Sequence, residues 1–216
     1  MAVEQIRPVE GQRKAAQRKT PELNVDTAIT ILFGTSRLEG DSFISTLRYA
    51  RNEGMLEVDE TYVKVKGRWT YLYRAVDSRG QTIDFLLSAR RDAEAAKRFF
   101  RKALAQPHTV NPRSITVDKN AAYPKATTDM KRDGELWWRS KLRQVKYLNN
   151  IVEQDHRNVK RLIDPGLGFG GFWTARRTLA GYEAMAMIRK GQVRKIGGSD
   201  IRAQARFIVG LFEAAA

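Results

Sequence analysis

The chain contains no cysteine and two histidines in 216 residues. It therefore has neither a disulfide nor a thiolate metal ligand, and a zinc site, which is built from sulfur and imidazole, is disfavoured. No apolar run approaches the roughly 18 residues of a membrane span. The first residues, MAVEQIRPVEGQRK, also lack the apolar stretch of a secretory signal. Together these absences predict a cytoplasmic protein with no membrane partner.

Acidic residues are in short supply as well. The chain has 24 Asp and Glu against 39 Lys and Arg, a formal net charge of +15. Residues 1–56 are nearly neutral, with eight basic and seven acidic side chains, so the excess lies in residues 57–216. A positive field of this size favours a polyanionic partner, because phosphate contacts release counterions. Nucleic acid is therefore favoured over an inert basic surface.

The pattern divides the chain into three parts. Residues 1–55 form an atypical N-terminal segment that is predicted to be partly disordered, with a polar tail at 1–24 and a short capped helix at 40–54. Residues 56–195 carry the strongest periodicity and form the main domain, which we expect to be the catalytic one. Residues 196–216 are a C-terminal helical tail.

The main domain alternates between strand and helix patterns. Strands are predicted at 56–65, 69–77, 82–88, 114–118 and 142–147. Helices are predicted at 91–106, 120–132, 149–163 and 174–190, with a weaker one at 201–214. The short links between the first three strands indicate an antiparallel meander, and alternation follows. We therefore predict an α/β fold with a mixed five-stranded sheet flanked by helices.

Three carboxylates occupy places that need a reason. Asp59 lies within the first strand, where Asp is a poor fit. Asp118 follows the apolar residues of the fourth strand, at the strand end where open sheets often place ligands. Glu153 lies near the start of the helix NNIVEQDHRNVKRLI, among several basic residues.

The angular positions on this helix separate two sides. Glu153, His156 and Lys160 fall on one border of the apolar stripe. Asp155 falls on the stripe itself, where an acid is unexpected. The stripe is predicted to be buried and consists of Ile151, Val152, Val159, Leu162 and Ile163.

Carboxylates gathered on one side of a sheet repel one another unless a cation neutralises them. Their hard oxygen atoms select Mg²⁺ or Mn²⁺, and two such ions about 4 Å apart can promote phosphodiester chemistry. The alternative is that each acid is an ordinary salt-bridge partner. The residues alone leave both interpretations open.

Basic and aromatic residues offer further candidates. Arg157, Lys160 and Arg161 form either a solvated helix face or a phosphate-binding face, and their place beside an acidic cluster favours phosphate. Core or interface packing is favoured over base stacking for Trp69. Trp137 and Trp138 lie in the basic stretch GELWWRSK, where contact with a base or a partner is as well supported as packing. The segment GLGFGG (166–171) follows a helix, which favours a flexible connection over a phosphate-binding loop.

Three longer segments of the sequence resemble a known protein family. VDETYVKVKGRWTYLYRAVD, TVDKNAAYP and RQVKYLNNIVEQDHRNVKRLI resemble the DDE transposases of bacterial insertion sequences. The resemblance is specifically to the group named after insertion sequence six, which includes insertion sequence twenty-six. It runs from about Val58 to Arg194 and extends to PGLGFGGFWTARRTLAGYEAMAMIRKGQ. The 34 residues between Asp118 and Glu153 are also the spacing of this group.

The resemblance implies a ribonuclease-H-like fold and a site in which Asp59, Asp118 and Glu153 hold two Mg²⁺ ions, with Mn²⁺ as a substitute. It implies cleavage of DNA by water and strand transfer by a DNA 3′-OH. Lys160 matches a basic position that contacts DNA near the active site. The implied partners are DNA, as insertion-sequence ends and target, and a second copy in a homodimer.

One part departs from the group. Its members carry a helix-turn-helix before the first Asp, and residues 1–56 do not resemble one. Two alternatives to an active transposase follow: a truncated, catalytically silent DNA-binding remnant, and a related nuclease that cuts without joining.

Overall fold

The computed structural model describes residues 54–105, 110–145 and 150–213. At 150–155, 165 and 211–213 it describes the backbone and not the side chains. The predicted tail and first helix of the N-terminal segment lie outside the described residues. Within them, no helix has the length and apolarity that crossing a membrane requires.

In the described residues, five strands and five α-helices follow the predicted order. The strands are β1 Met55–Val65, β2 Arg68–Val76, β3 Thr82–Ser88, β4 Ser114–Val117 and β5 Lys141–Gln144. The helices are α1 Ala93–Leu104, α2 Ala122–Arg132, α3 Asn150–Ile163, α4 Phe172–Arg189 and α5 Ile201–Glu213. A short 3₁₀ turn, Asp164–Gly166, extends α3.

The strands form one mixed sheet in the order β3-β2-β1-β4-β5. The pairs β1–β2 and β2–β3 are antiparallel, and β4 pairs in parallel with both β1 and β5. Three meandering strands followed by alternating helices and strands confirm the predicted α/β, ribonuclease-H-like sheet. This order puts β1 at the centre, between the meander and the parallel pair.

The β1–β2 hairpin has a tight two-residue turn. Lys66 and Gly67 both have positive φ values, 50° and 74°. Turns with two left-handed residues match the twist of paired strands, and glycine adopts that conformation without strain. The turn sets the β1–β2 register, in which Asp59 lies opposite Arg74 and Tyr62 lies opposite Tyr71.

Each face of the sheet has its own apolar core, because successive side chains of a strand point to opposite faces. Leu56 and Val58 of β1 belong to the core beneath α1 and α2, with Phe99, Phe100 and Tyr123. Val63 and Val65 belong to the core beneath α3 and α4. Asp59 and Glu60, adjacent in the chain, therefore project to opposite faces.

The helix boundaries follow the predicted caps. The Asp92 carboxylate accepts a hydrogen bond from the backbone N–H of Ala95 at 2.7 Å, which satisfies one orphan donor at the start of α1. Pro124 lies in the first turn of α2, where its missing N–H costs nothing. Gly191, with φ 73°, ends α4.

Two expectations about α3 and the segment after it need correction. Leu162 is 47% exposed, so the buried side of α3 is narrower there than the sequence predicts, and among the side chains described on this helix (156–163) the buried ones are His156, Val159 and Ile163. The predicted positions Ile151 and Val152 lie outside the described side chains. The glycine-rich segment is hydrogen-bonded to the sheet: the Phe169 N–H donates to Lys64 O at 2.8 Å, and the Lys66 N–H donates to Phe169 O at 2.8 Å. It is thus a docked connection instead of a free one.

Candidate metal and DNA site

The two aspartates lie on neighbouring strands at the same level of the sheet. The β1–β4 register ends with Glu57 opposite Thr116, and Asp59 and Asp118 each lie two residues further on. The β1 strand continues past this point, whereas β4 ends at Val117. Neighbouring strands lie about 4.8 Å apart, so the sheet brings these two residues close together.

Asp59 is held from two sides. Its Oδ1 accepts a hydrogen bond from the N–H of Glu60 at 2.8 Å. Its Oδ2 lies 3.2 Å from Nδ1 of His156 on α3, and the Asp59 side chain is 24% exposed. The contact between Asp59 and His156 therefore joins β1 to α3 and leaves part of the carboxylate open.

Glu153 lies on the same helix, three residues before His156. Residues three apart on a helix lie on the same side, so the backbone at 153 lies on the side of α3 that meets Asp59. The side chain of Glu153 is not among those that the structure describes. Its convergence with the two aspartates remains a prediction, and the Asp155 side chain is likewise outside the described set.

Asp118 is fixed by the loop that follows β4. Its Oδ1 accepts a hydrogen bond from the N–H of Asn120 at 3.1 Å, and its Oδ2 lies 3.3 Å from the guanidinium of Arg91. Burial raises the pKa of Asp118; Glu60 and Asp59 raise it further, against the lowering effects of Asn120 and Arg91. Asp59 thus repels a charge on Asp118, which agrees with the closeness that the sheet predicts.

Glu60 is an acid for which no role was predicted. Its side chain is 1% exposed and accepts hydrogen bonds from Arg91 Nε at 2.5 Å and from Asn120 Nδ2 at 3.0 Å. Asn120 in turn accepts from the N–H of Ala122 through its side chain, at the start of α2. Glu60 therefore ties the loop that carries Asp118 to the strand that carries Asp59.

The donors at this place fit a hard divalent cation. Asp59 and Asp118 offer carboxylate oxygens, each carboxylate can accept about four contacts, and each has used only some of them. The elevated pKa of Asp118 also shows that the described neighbours do not fully compensate its charge. Among the described side chains, which exclude Glu153, no three His, Cys, Asp or Glu residues group as a metal site.

The three basic candidates all lie on α3 near this centre. Lys160 is half-buried and lies one turn after His156, whereas Arg157 and Arg161 are exposed. Arg161 donates a 3.4 Å hydrogen bond to Oδ1 of Asn158 on its own helix. Their role as DNA contacts remains a prediction.

Sequence reasoning missed four residues of the site: His156, Glu60, Arg91 and Asn120. For His156 a signal existed, because it is one turn from Glu153 and shares its border of the helix. Glu60 and Asn120 each stand beside a predicted ligand, one and two residues away, which is a weaker signal. Arg91 lies 31 residues from Glu60 and 27 from Asp118, so no local pattern pointed to it.

The sheet order, together with Asp59 on β1 and Asp118 just after β4, defines a ribonuclease-H-like domain with a candidate carboxylate metal site. Comparison with known families gives the particular kind. The family model of the DDE domain of IS240-type transposases matches residues 54–192. The chain therefore belongs to this DDE-domain transposase family.

Relatives of established description agree with this family. The chain is 34% identical over 143 residues to the transposase for insertion sequence-like element IS431mec from Staphylococcus aureus, covering 64% of this chain and 59% of the relative. The same figures hold for the transposase for insertion sequence element IS257 in transposon Tn4003 from that species. The chain thus spans a little over half the length of these relatives.

Solved structures with a similar shape include viral integrases. The catalytic core domain of HTLV-2 integrase in complex with magnesium, in its dimeric form, aligns with a TM-score of 0.46 and 15% identity over 69% of this chain and 94% of that one. A simian T-cell lymphotropic virus intasome chain gives a TM-score of 0.46 and 14% identity, covering 71% of this chain and 54% of that one.

Proposed function

We propose that the protein is a transposase that cleaves DNA strands and transfers them, using Asp59, Asp118 and Glu153 to hold two Mg²⁺ ions. The observation that carries the proposal is the arrangement of β1, β4 and α3. Two aspartates stand side by side on adjacent strands, and the contact between His156 and Asp59 anchors the Glu153-bearing helix against them. Membership of the DDE-domain family supports the assignment of roles.

The described residues would prepare the reaction in distinct ways. His156 orients the Asp59 carboxylate, and Asn120 and Arg91 orient that of Asp118. Bound divalent cations supply Lewis-acid activation of the attacking oxygen and stabilise the leaving one.

Basic residues beside this centre would hold the DNA. Lys160 is half-buried one turn after His156 on α3, and the exposed Arg157 and Arg161 extend the positive surface along the same helix. Phosphate contacts of this kind position the nucleic acid without reading its sequence. Homodimer formation and the choice of insertion-sequence ends belong to the same proposal and are supported by the family alone.

A cleavage assay tests the function. The full chain is incubated with a labelled duplex that carries candidate element ends, in Mg²⁺, in Mn²⁺ or in EDTA. We expect nicked product with either metal, none in EDTA, and none with Asp118→Ala. Joined product in the presence of a target duplex would establish strand transfer.

The same assay separates the alternatives. Nicking without joined product would indicate a nuclease that cuts and does not transfer. Binding of duplex with no metal-dependent product would indicate a catalytically silent remnant and would refute the enzyme. Equal nicking by the wild type and Asp118→Ala would refute the site.

A further inference from the structure

An aromatic cluster is exposed at the hairpin end of β1 and β2. Trp69 is 60% exposed and Tyr62 is 42% exposed, which excludes the core alternative for Trp69 and leaves its packing at an interface a prediction. The Tyr62 ring meets Trp69 edge-on, with 6.3 Å between centroids, and meets Tyr71 at 5.4 Å. Large rings presented to solvent in a group usually serve binding.

Tyr62 and Trp69 line an open pocket of about 370 Å³. Its other walls come from the edge of β1, the end of α3 and the docked glycine-rich segment. The lining is Tyr62, Val63, Lys64, Trp69, Lys160, Ile163, Asp164, Leu167 and Gly168. Small ligand sites commonly span about 300 to 1,000 Å³, so the pocket can take one planar group.

The wall of the pocket at Gly168 packs closely against Lys64 of β1. Gly168 has φ 111°, and a Cβ atom there would come within 2.7 Å of both Cβ and O of Lys64. The absence of a side chain lets this segment run directly against β1 and pair with it. The pocket is therefore a formed feature with a fixed wall.

Two lysines give the pocket a positive rim. The Lys64 ammonium lies 5.1 Å from the Trp69 ring centroid, a cation–π contact, and Lys160 lines the opposite wall from α3. Asp164 is the one acid among the lining residues. Flat aromatic faces beside cations suit a ligand that joins a planar ring to an anion.

The pocket lies further along β1 than the carboxylates. Tyr62 lies three residues after Asp59, about 10 Å along the strand or about three steps of stacked DNA, and its side chain projects to the face of Glu60, opposite to that of Asp59. Arg91 connects the two places, because its guanidinium lies 5.9 Å from the Tyr62 ring and 3.3 Å from Asp118. A nucleotide in the pocket would thus be a near neighbour of a phosphate at the metal site.

We propose that this pocket holds an unpaired nucleobase of DNA, stacked on Trp69 and Tyr62, with its phosphate near Lys64 and Lys160. The inference rests on the proposed function. The base must be unpaired because the faces of a paired base are covered by its neighbours in the duplex. A second copy of the chain is the less favourable occupant, since it would bring another +15 charge towards the lysine pair.

A binding experiment tests the pocket without the chemistry. The full chain in EDTA is titrated into a fluorescent oligothymidine and, separately, into a matched blunt duplex, and anisotropy gives the Kd values. We expect Trp69→Ala to weaken single-strand binding about 5- to 100-fold, the usual effect of losing one stacked base. Duplex binding should change far less, and Trp69→Phe should retain most of the affinity.

Trp173→Ala is the matched control. Trp173 is 54% exposed and has its own cation, Arg176, 5.4 Å from its ring, but it does not line the pocket. We expect no change in single-strand affinity for this variant. An equal loss for both tryptophan variants, or no loss for Trp69→Ala, would overturn the inference.

Photocrosslinking locates the base directly. An oligonucleotide with 5-iododeoxyuridine is irradiated with the wild-type chain, and mass spectrometry finds the modified peptide. We expect the crosslink at Trp69 or Tyr62; a crosslink elsewhere overturns the pocket. If Trp69→Ala instead converts a dimer to a monomer in sedimentation and leaves DNA affinity unchanged, the occupant is a second copy and the inference also fails.

These outcomes separate the inference from the function on which it rests. If the wild type nicks DNA in a metal-dependent way and Trp69→Ala binds oligothymidine as tightly as the wild type, the pocket inference fails and the transposase proposal stands. Loss of binding in Trp69→Ala without any nicking by the wild type keeps the pocket as a single-strand site and removes the enzyme. Failure of the wild type to bind any DNA removes both.

Discussion

The acids in the buried ion pairs of β2 and β3 differ in their surroundings from the carboxylates of Asp59 and Asp118. On β2, Arg74 is 1% exposed and makes a two-pronged contact with Glu183 of α4, at 2.6 and 2.8 Å. On β3, Asp84 is 2% exposed and pairs with Lys102 of α1. Each of these acids is enclosed with its cation.

At Asp59 and Asp118 the enclosure is incomplete. Their side chains are 24% and 36% exposed, although each of their oxygen atoms has a described partner. Arg74 is the cross-strand neighbour of Asp59 and makes a close contact, at 2.6 Å, with Glu183. The difference teaches that exposure, and not the presence of acids, separates the predicted ligand carboxylates from the structural ones.

The largest contrast should come from Asp118→Asn. We expect metal-dependent nicking to fall about 10³-fold or more, because losing a ligand forfeits several kcal/mol of Lewis-acid stabilisation. The measurement is the single-turnover nicking rate at saturating Mg²⁺. A variant that keeps more than a tenth of the wild-type rate would contradict the metal assignment.

Folding stability should respond in the opposite sense. Because the pKa of folded Asp118 is raised, the folded state holds the proton more strongly, and Asp118 costs stability as the pH rises past its unfolded pKa. Asp118→Asn removes that cost, so the unfolding free energy of the variant at neutral pH should equal or exceed that of the wild type. Urea denaturation at neutral and acidic pH checks the sign.

Glu183→Gln should show the reverse pattern. It leaves the Arg74 charge buried with a neutral partner, which typically costs about 3–5 kcal/mol of unfolding free energy. Under conditions where the variant is folded, nicking should persist, because Glu183 contacts no predicted metal ligand in the described structure. Urea denaturation gives the free energy, and the nicking assay gives the activity.

Glu135→Gln provides the matched control, because Glu135 pairs with Arg101 at 2.6 Å in an exposed position. Exposed pairs contribute little, so we expect little change in its denaturation midpoint. If Glu183→Gln were as mild as this control, the division between structural and ligand acids would lose its basis.

The sequence predicted the fold well because the signals were local and repeated. Strand alternation, the Asp92 cap and the Gly191 stop each depend on a few adjacent residues, and the predicted boundaries agree with the structure to within a few residues. Where burial depends on distant packing, prediction failed. Leu162 belongs to the apolar period of α3 and is nevertheless 47% exposed, because the period does not show how wide a strip of the helix the rest of the fold covers.

The prediction of the site rests on a different basis. The sequence motifs around Asp59, Asp118 and Glu153 carry the family resemblance, whereas the hydrogen-bond network around the two aspartates depends on contacts across the fold. Glu60 and Arg91 meet only because β1 and the segment before α1 come together, 31 residues apart in the chain. Physical pattern alone gave no means of pairing them.

Glu60→Gln tests whether this acid belongs with the structural pairs or with the site. We expect an intermediate result: about 1–3 kcal/mol lost from the unfolding free energy, because a buried charged hydrogen bond to Arg91 is weakened. We also expect nicking to fall about tenfold or more, because the loop that carries Asp118 loses one support. Denaturation and the single-turnover rate are measured on the same preparation.

Glu94→Gln is the control for Glu60→Gln. Glu94 is 69% exposed and pairs with Lys97 within α1, away from both aspartates. We expect little change in either measurement. If Glu60→Gln lost stability but kept the wild-type nicking rate and the wild-type response to Mg²⁺, Glu60 would be a structural acid only.

The smallest effect should come from substituting an exposed cation of α3. This extends the comparison from acidic to basic side chains. Arg74 and Lys102 are enclosed with acids, whereas Arg161 is exposed and its described partner is the neutral Asn158. Arg161→Gln should weaken duplex binding modestly and reduce the slope of log affinity against log salt by about 1, the signature of one lost phosphate contact. Arg202→Gln, an exposed change on α5, should leave the slope unaltered, so an equal slope for both variants would place the DNA elsewhere than along α3.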